Sequence, residues 1–498
     1  MTQMNIKRWV FILACVLVVT DLTAQFEQTA KIVSTNRESR AEYGTSVAIT
    51  DNFAIVGASR ETIASGAAYV YSKDGQGTWG FLQRLAADDP NEGAEYGGGV
   101  AFSENFLVVA AGRADVAGVQ RAGALYVYNY QNNTWEFDSK LVASDMSNDA
   151  KMGMNPTSLA AQENTIVAGA PGENAWAGSV YVFTNTGGSW TEAQKIVSPN
   201  PQASDVFGIG VALSGDYLVI GANEYDNRKG AAYVYLKNGN GTYEYVQTLT
   251  ASDASNDAFF GTSVGMDGDQ MIVGAYGDNM EQGAAYIFER DAQNNWVEVA
   301  KLTGNPSTEN TQFGWSTSIQ RNYAIVSAPH LFGFEAGEMY FYERESSGDW
   351  VEAQIVQGSD TAGEDFYGWS IAMHENQVLV GAPWEDHDAN GGDEIDRAGS
   401  AYIFQDPNLL GVVGNGALES SISIYPNPAT ELLNIESKTK TITDLKVFSI
   451  TGALLQEVTD LQVSLYTLDI SKFNEGVYFV TIGCGDGVTV QKKIIKVN

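Results

Sequence analysis

The chain has 498 residues, of which 44% are hydrophobic, so it has room for a sizeable core and for more than one domain. Its 28 Lys and Arg residues stand against 61 Asp and Glu residues, which gives a formal net charge of −33, and the excess lies in residues 25–420. Such a surface repels phosphate backbones and anionic membranes and argues against nucleic acid as a partner. It favours solubility, and it suits cations or basic ligands.

The N-terminus is predicted to be a secretory signal peptide over residues 1–24. Lys7 and Arg8 precede an apolar run from Trp9 to Val19, and the small residue Ala24 marks the expected cleavage point. The run is too short to span a bilayer, so no transmembrane segment is expected in the mature chain. These features predict an exported protein that is secreted or attached to the outer-membrane surface.

A pair made of an aromatic residue or Met and a Gly recurs seven times, with 53 to 56 residues from one pair to the next. The pairs are Tyr43-Gly44, Tyr96-Gly97, Met152-Gly153, Phe207-Gly208, Phe260-Gly261, Phe313-Gly314 and Tyr367-Gly368. Each unit contains short alternating segments rich in Val, Ile, Tyr and Ala, separated by turn residues, which predicts four antiparallel strands a to d. Seven such units predict a seven-bladed β-propeller over residues 25–404.

The seventh unit stops at "SAYIFQ" and lacks an aromatic-led fourth strand. A matching segment, "FEQTAKIVS" at residues 26–34, precedes the first unit and is similar to "WTEAQKIVS" at 190–198. The N-terminal segment is therefore predicted to complete blade seven and close the ring, which removes open sheet edges.

The recurring pattern, with segments such as "FGTSV", "IVGA" and "GAAYVY", resembles the FG-GAP repeat of integrin α-chain propellers and its bacterial extracellular variant. The resemblance covers about residues 26–404 and implies extracellular recognition. Integrin-type repeats carry an Asp-rich calcium loop before the "GAP" strand. This chain has tight turns there, such as "TDN", "SGD" and "HEN", so those calcium sites are not carried over.

The tail, residues 421–498, is similar to the type A C-terminal sorting domain of the bacterial type IX secretion system. The residues that match this family's pattern are Tyr425, Pro426, Asn427, Pro428, Gly476, Tyr478, Lys492 and Lys493. The resemblance implies the type IX machinery as a partner and translocation across the outer membrane. The strand-rich composition predicts a small β-sandwich, and residues 405–420 are interpreted as a linker.

In an antiparallel blade, the d-to-a connections and the b-to-c loops lie at the same end. The d-to-a connections are mostly acidic and the b-to-c loops are the most variable segments, so this face is the predicted ligand face. Exposed residues on it are candidates for contact with an extracellular glycan or protein, although packing under the loops is an equal alternative. The candidates are Trp176, Tyr225, Arg228, Tyr276, His330, Phe332, Phe334 and Trp384.

The b-to-c loop of unit seven is twice the usual length and contains "WEDHDANGGDEID". Asp386, Asp388, Asn390 and Glu394 have the spacing of a short calcium loop, in which alternate oxygen ligands surround one hard cation. The bidentate Glu that a full EF-hand has at position 12 of the loop, counted from Asp386, is missing, because Arg397 stands there. The loop is therefore a candidate calcium site, with a solvated acidic loop as the alternative.

Catalytic residues are not predicted. The three His residues do not form a zinc-ligand cluster or accompany a nucleophile motif. A pair of carboxylates suited to glycoside hydrolysis cannot be recognised from chain spacing. The sequence predicts a binding or adhesion module, and the alternative is a glycosidase or lyase on the same scaffold.

Overall fold

The structure, a computed structural model, describes residues 26–89, 91–304, 310–331, 333–406, 422–437, 441–449, 454–459, 461–484 and 489–497. The predicted signal peptide lies outside these residues, and so does the predicted linker except for residues 405 and 406. The limits of the domains therefore stay predictions. In the part of the chain that the structure describes, no helix has the length and apolar character needed to cross a membrane.

Strands β1 to β28 form seven four-stranded sheets in the described part of residues 26–406. In chain order they are β1 (Glu27–Ile32), β2 (Tyr43–Ile49), β3 (Phe53–Ala58), β4 (Ala67–Lys73), β5 (Trp79–Leu85), β6 (Tyr96–Phe102), β7 (Phe106–Ala111), β8 (Ala124–Gln131), β9 (Thr134–Leu141), β10 (Leu159–Gln162), β11 (Thr165–Ala170), β12 (Ser179–Thr186), β13 (Ser189–Ile196), β14 (Phe207–Ser214), β15 (Tyr217–Ala222), β16 (Ala231–Lys237), β17 (Tyr243–Leu249), β18 (Val264–Asp267), β19 (Gln270–Ala275), β20 (Ala284–Arg290), β21 (Trp296–Leu302), β22 (Thr317–Gln320), β23 (Tyr323–Ala328), β24 (Glu338–Arg344), β25 (Trp350–Val356), β26 (Ser370–His374), β27 (Gln377–Ala382) and β28 (Ser400–Gln405). All the pairings within these sheets are antiparallel, as the alternation of apolar and polar residues predicts.

The seven sheets form a closed ring of blades. Blades 1 to 6 are β2–β5, β6–β9, β10–β13, β14–β17, β18–β21 and β22–β25, and blade 7 is β26–β28 with β1. The first strand of each blade contacts the first strand of the next, and β2 also contacts β26 and β27 of blade 7. The innermost strands therefore surround one axis. The predicted seven-bladed β-propeller is confirmed.

Strand β1 supplies the fourth strand of blade 7, where Glu27 pairs with Gln405 and Ile32 with Ala401. Phe26 is 2% exposed and stacks on Phe341 of blade 6 at a centroid distance of 4.2 Å. The N-terminal segment is thus held both by its sheet and by the neighbouring blade. A ring joined in this way leaves no unpaired edge between its first and last blades.

Neighbouring blades are joined through their Gly residues. A Cβ atom on Gly57 of blade 1 would collide with the carbonyl oxygen of Gly97 in blade 2, so a side chain at this position would push the two blades apart. The neighbouring Ser46 hydroxyl donates a hydrogen bond of 2.7 Å to the same carbonyl oxygen. The recurring Gly residues are therefore explained by close packing of backbone between blades.

The b-to-c loops of blades 1, 3, 4 and 5 each contain one short helical turn with left-handed backbone angles. These turns are α1 (Glu61–Ala64), α2 (Glu173–Trp176), α3 (Tyr225–Arg228) and α4 (Asp278–Glu281). Three successive residues in each turn have positive φ, and in α1 these include the β-branched residues Thr62 and Ile63. Such backbone costs about 1 to 3 kcal/mol per residue and persists only where the surroundings stabilise it.

The left-handed turns hold the next blade through backbone hydrogen bonds. The carbonyl oxygen of Ala64 in α1 accepts a bond of 2.9 Å from the amide of Glu95 in blade 2. In the equivalent hydrogen bond of blade 3, the carbonyl oxygen of Trp176 accepts from the amide of Val206 in blade 4 at 2.8 Å. Because the turn directs these carbonyl groups toward the neighbouring blade, the strained backbone is compensated by contacts between blades. A 3-10 turn, η1 (Pro156–Ser158), precedes β10 of blade 3.

Two further sheets form the C-terminal domain. One contains β29 (Ile422–Tyr425), β30 (Leu432–Ser437) and β33 (Leu465–Asp469), and the other contains β31 (Ile442–Ser449), β32 (Leu454–Val458), β34 (Gly476–Cys484) and β35 (Thr489–Lys496). Both sheets contribute to one apolar core, for example through Ile435 and Leu468 from the first and Leu445 and Val480 from the second. The predicted small β-sandwich is confirmed.

Candidate ligand-binding site at the mouth of the propeller

The innermost strands begin at the end of the ring where the b-to-c loops lie. We define the mouth as the residues that flank each aromatic-Gly or Met-Gly pair at this end, together with the two residues that follow each second strand. The residue before each pair has φ between 52° and 58° in all seven blades. These residues are Glu42, Glu95, Lys151, Val206, Phe259, Gln312 and Phe366. The repeated backbone therefore presents seven equivalent side-chain positions around one end of the axis.

In blades 1 and 2 these positions hold ion pairs. Glu42 lies 3.2 Å from Arg60, and Glu95 lies 3.1 Å from Arg113, the Arg in each case following the second strand of the same blade. Burial raises the pKa of Glu42, and Arg60 partly opposes this shift. Each carboxylate is thus paired with an Arg of its own blade, and Arg397 of blade 7 also acts to lower the pKa of Glu42. We call this part of the mouth the charged half.

In blades 5 to 7 the mouth holds a continuous series of rings, which we call the aromatic arc. The arc consists of Phe259, Tyr276, Trp315, Trp369, Phe366 and Trp384. Successive ring centroids lie 4.8, 5.1, 5.0, 6.0 and 4.2 Å apart in that order. These distances fall in the range at which aromatic rings attract one another. The arc spans three blades, with two rings from blade 5, one from blade 6 and three from blade 7.

Two Arg side chains lie at the ends of the arc. The Arg228 guanidinium lies 5.5 Å from the Phe259 ring centroid, and the Arg397 guanidinium lies 3.5 Å from that of Trp384. Such cation–π contacts fix the orientation of the terminal rings. Burial raises the pKa of Tyr276 to about 12, so its hydroxyl group stays protonated at neutral pH.

The structure places some predicted ligand-face residues in the arc and others elsewhere. Tyr276 and Trp384 belong to the arc, and Arg228 borders it. Tyr225 packs edge-on against Tyr233 in its own blade at a centroid distance of 6.4 Å, which is the local packing left open as an alternative. Trp176 is 38% exposed and covers the Lys151 ammonium group, 4.1 Å from its ring centroid.

The blade 6 candidates do not join the arc. His330 is 4% exposed, and burial lowers the pKa of its imidazole although Glu338 and Glu335 lie 4.0 and 3.7 Å away. A buried neutral His suits packing better than surface contact. Phe334 is 90% exposed, whereas Phe332 lies outside the described residues.

The acidic loop of blade 7 uses several carboxylates for its own backbone. Asp388 Oδ1 accepts hydrogen bonds from the amides of Asn390 and Gly392 at 2.8 and 2.9 Å, and these amides lower the pKa of Asp388. Asp386 Oδ1 accepts a bond of 2.6 Å from the amide of Arg397, and exposed Glu394 lies 3.5 Å from His387 Nε2. Across the described ranges, no group of three or more His, Cys, Asp and Glu side chains is placed to hold a metal ion. The calcium site stays a prediction.

Basic residues of the N-terminal segment bind the acidic loop. Arg37 donates hydrogen bonds to the carbonyl oxygens of Asp393 and Asp386 at 2.6 and 2.5 Å. Arg40 Nε lies 2.9 Å from Asp396. The loop therefore joins blade 7 to the chain that leads into blade 1. The carboxyl-terminal part of the loop makes the same hydrogen bond between blades as the left-handed turns do. The carbonyl oxygen of Arg397 accepts it from the amide of Glu42 at 3.1 Å.

A buried ion cluster lies beneath this loop. Lys31 of β1 has a side chain only 4% exposed, and its ammonium group lies 2.7 Å from Asp360 and 3.1 Å from Glu385. Glu385 is fully buried and also accepts a hydrogen bond from Ser400. Both carboxylates and the base are therefore satisfied by one another.

Equivalent clusters recur in blades 3 and 5. Lys195 bonds to Asp145 and Glu173, and Lys301 lies 2.6 and 2.7 Å from Asp253 and Asp278. Each cluster joins the third and fourth strands of a blade to the connection from the blade before it. Many of the carboxylates on this face thus serve the scaffold.

Sequence reasoning did not identify four members of the arc, Phe259, Trp315, Phe366 and Trp369. These residues flank the repeated pairs, so the Trp in "FGWS" and "YGWS" is easily taken for part of the repeat. The sequence nevertheless distinguishes the last two blades. The residue after the repeated Gly is Thr, Gly, Met, Ile and Thr in blades 1 to 5, but Trp in blades 6 and 7.

The predicted sorting-signal residues lie in and beside the sandwich strands. Tyr425 ends β29 and its hydroxyl donates to Glu436 at 2.9 Å, and the peptide bonds before Pro426 and Pro428 are cis. Asn427 Oδ1 accepts the amide of Ile495 at 2.8 Å.

The remaining sorting-signal residues lie at the strand pair β34–β35. Gly476 begins β34, the Tyr478 hydroxyl donates to the carbonyl oxygen of Asn474 at 2.8 Å, and Lys492 and Lys493 pair with Val480 and Phe479. Their role in sorting stays a prediction.

The fold and the tail together define a class, the exported β-propellers. Six segments of the chain match the FG-GAP repeat, namely residues 26–71, 79–128, 190–235, 243–288, 296–342 and 350–404. Because these segments make up more than half of the sequence, the chain belongs to the FG-GAP repeat family. Residues 423–497 match the secretion system C-terminal sorting domain. The protein is exported by the type IX system and is secreted or attached to the outer-membrane surface.

A crystal structure of a protein from Lactobacillus plantarum is similar in outline, with 11% sequence identity and a TM-score of 0.42. The match covers 84% of this chain and 100% of that one. No curated protein matches the sequence.

Proposed function

We propose that the protein is a binding or adhesion module that recognises an extracellular glycan at the mouth of its propeller. The observation that carries this proposal is the aromatic arc. Sugar rings present patches of C–H groups with partial positive charge, which pack favourably on the negative faces of aromatic rings. A rigid ring of blades holds such side chains in place and reduces the entropy lost on binding.

The contrast with the charged half supports this location. Glu42–Arg60 and Glu95–Arg113 satisfy each other, whereas the indole rings of Trp315 and Trp369 are half-buried and contact other rings. Half-buried aromatic groups with open faces are typical anchors of binding sites. A glycan therefore gains most by lying along blades 5 to 7.

The first test is a glycan array probed with the full-length protein, followed by titration of the bound glycans with Trp315→Ala and Trp369→Ala. Each substitution is expected to weaken binding by about tenfold, because one stacking surface is lost. Trp79→Ala is the matched control, since Trp79 lies at the start of β5 on the opposite face. It should leave the dissociation constant unchanged.

The same preparations would be tested on panels of matrix proteins and of hydrolase substrates. Binding to proteins alone, or equal affinity of wild type and Trp315→Ala for every glycan, would contradict the proposal. Turnover of a glycan would favour the glycosidase or lyase alternative.

A further inference from the structure

Lys151 is an exception among the charged residues of the mouth. It occupies the position before the Met-Gly pair of blade 3, equivalent to Glu42 and Glu95 in blades 1 and 2. The partner position, which holds Arg60 or Arg113 in those blades, is Gly172 in blade 3. Lys151 therefore faces a residue without a side chain.

Lys151 is only 9% exposed, yet within the described residues its ammonium group forms no hydrogen bond or ion pair. The ammonium group lies over the Trp176 ring, 4.1 Å from its centroid. Other Lys residues on this face of the ring have carboxylate partners. Lys31, Lys195 and Lys301 each bind two carboxylates. A cation with so little exposure and no bonded anion is unfavourable, and an anionic ligand would stabilise it.

The charged neighbours of Lys151 are already paired with one another. Arg113 binds Glu95 at 3.1 Å, and Arg121 binds Asp149 at 2.8 Å. Burial lowers the pKa of Lys151, Arg113 and Arg121 act in the same direction, and the nearby carboxylates of Asp149 and Glu95 partly oppose the shift. Within the described residues, the hydrogen-bond donors of this ammonium group therefore remain available to an external acceptor.

We infer that Lys151, covered by Trp176, binds the carboxylate of an acidic sugar residue within the glycan, an inference that rests on the proposed function. A carboxylate supplies the anion that Lys151 lacks, and the exposed part of Trp176 offers a surface for the attached sugar ring. Glucuronic acid and sialic acid share this chemistry, namely a pyranose ring that carries one carboxylate.

The net charge of the protein also limits how many carboxylates the ligand can carry. With −33 on the whole chain, a polymer that carries a carboxylate on every sugar is repelled from the surface. A chain of neutral sugars with one acidic residue avoids this penalty, because its neutral part lies on the aromatic arc and its single charge meets Lys151. The expected ligand is therefore sparsely charged.

The test uses oligosaccharides of neutral sugars that end in glucuronic acid or in N-acetylneuraminic acid, each compared with its carboxyl-reduced form. Dissociation constants are measured by calorimetry for the full-length wild type, Lys151→Met and Trp315→Ala. Wild type should bind at least one acidic oligosaccharide about tenfold more tightly than its reduced form. Lys151→Met should abolish this preference and keep the affinity for the reduced form, while Trp315→Ala should weaken both forms equally.

Equal affinity of wild type for acidic and reduced forms would overturn the inference, and this comparison needs no variant to fold. An equal loss for both forms in Lys151→Met would also overturn it, because the role of Lys151 would then be structural. If Trp315→Ala leaves all affinities unchanged, the proposed function itself fails. The two failures are therefore distinguishable.

Discussion

Blades 1 and 2 and blades 5 to 7 place different chemistry on the same backbone. In both regions the residue before the repeated pair has φ near 55° and lies beside the residues that follow the second strand. In the first region these positions hold Glu and Arg, which neutralise each other, and in blades 5 and 7 of the second they hold rings such as Phe366 and Trp384, 4.2 Å apart. Ion pairs that are complete within the protein leave little for a ligand. Rings keep an apolar face that a ligand can cover.

On this face the charged side chains mostly bind one another and stabilise the scaffold, whereas the aromatic surface is the proposed site of binding. An acidic composition is therefore a poor guide to the proposed site. Lys151 is the informative exception, since it is charged but lacks an internal partner.

The largest change in stability from a single substitution is expected from the buried ion cluster around Lys31, which lies in blade 7 of the aromatic region. Lys31→Met leaves Asp360 and Glu385 without their base, so the free energy of unfolding should fall by about 3 kcal/mol. Glycan affinity should stay unchanged. Lys140→Met in blade 2 is the matched control, because its partner Asp89 is 59% exposed and the pair is worth less than about 1 kcal/mol. Urea unfolding of both variants measures the difference, and similar losses would break the comparison.

An exchange of chemistry between blades sharpens the comparison. Phe366→Glu combined with Trp384→Arg gives blade 7 the ion pair of blade 2. We expect glycan affinity to fall by about 30-fold, as two rings are lost, and the free energy of unfolding to fall by about 3 kcal/mol, because Phe366 is only 9% exposed. The control is Arg60→Ala, which removes a partly exposed ion pair of the charged half and should leave affinity unaltered. Retained affinity in the exchanged variant would show that the arc is not the binding surface.

The smallest effect concerns Asp365, which lies next to the arc and whose pKa is raised by burial to about 6 from 3.8. Because the folded state holds this proton more tightly than the unfolded state, the stability linked to Asp365 is present below about pH 4 and is lost as the pH rises through 6. Asp365→Asn should remove this loss and stabilise the protein at pH 7 by about 2 kcal/mol, with no difference at pH 4. Denaturant unfolding at both pH values measures it, and a variant that is less stable than wild type at pH 7 would contradict the assignment.

Much of the fold was predictable because the repeat is regular. Seven equivalent Gly positions and alternating strands determine seven blades, and the similarity of residues 26–34 to 190–198 indicated how the ring closes. The left-handed turns were not predictable, since the β-branched residues Thr62 and Ile63 prefer extended backbone. They adopt positive φ because the carbonyl group of the next residue, Ala64, binds the following blade.

The candidate site was only partly predictable. Spacing along the acidic loop shows which carboxylates are neighbours in sequence but not the directions in which they point. Asp388 binds amides within the loop, and the bases that hold the loop, Arg37 and Arg40, lie some 350 residues away in the chain. The aromatic arc forms from rings of three blades, so no local pattern contains it.

The pairing of β1 with β28 also determines how the protein is presented to its surroundings. Strand β28 starts at the mouth and runs to the other end of the blade, where Gln405 pairs with Glu27. The last described residue of the propeller, Asp406, therefore lies at the end of the ring opposite the mouth. The connection to the sorting domain consequently starts at the end of the ring that is farthest from the aromatic arc.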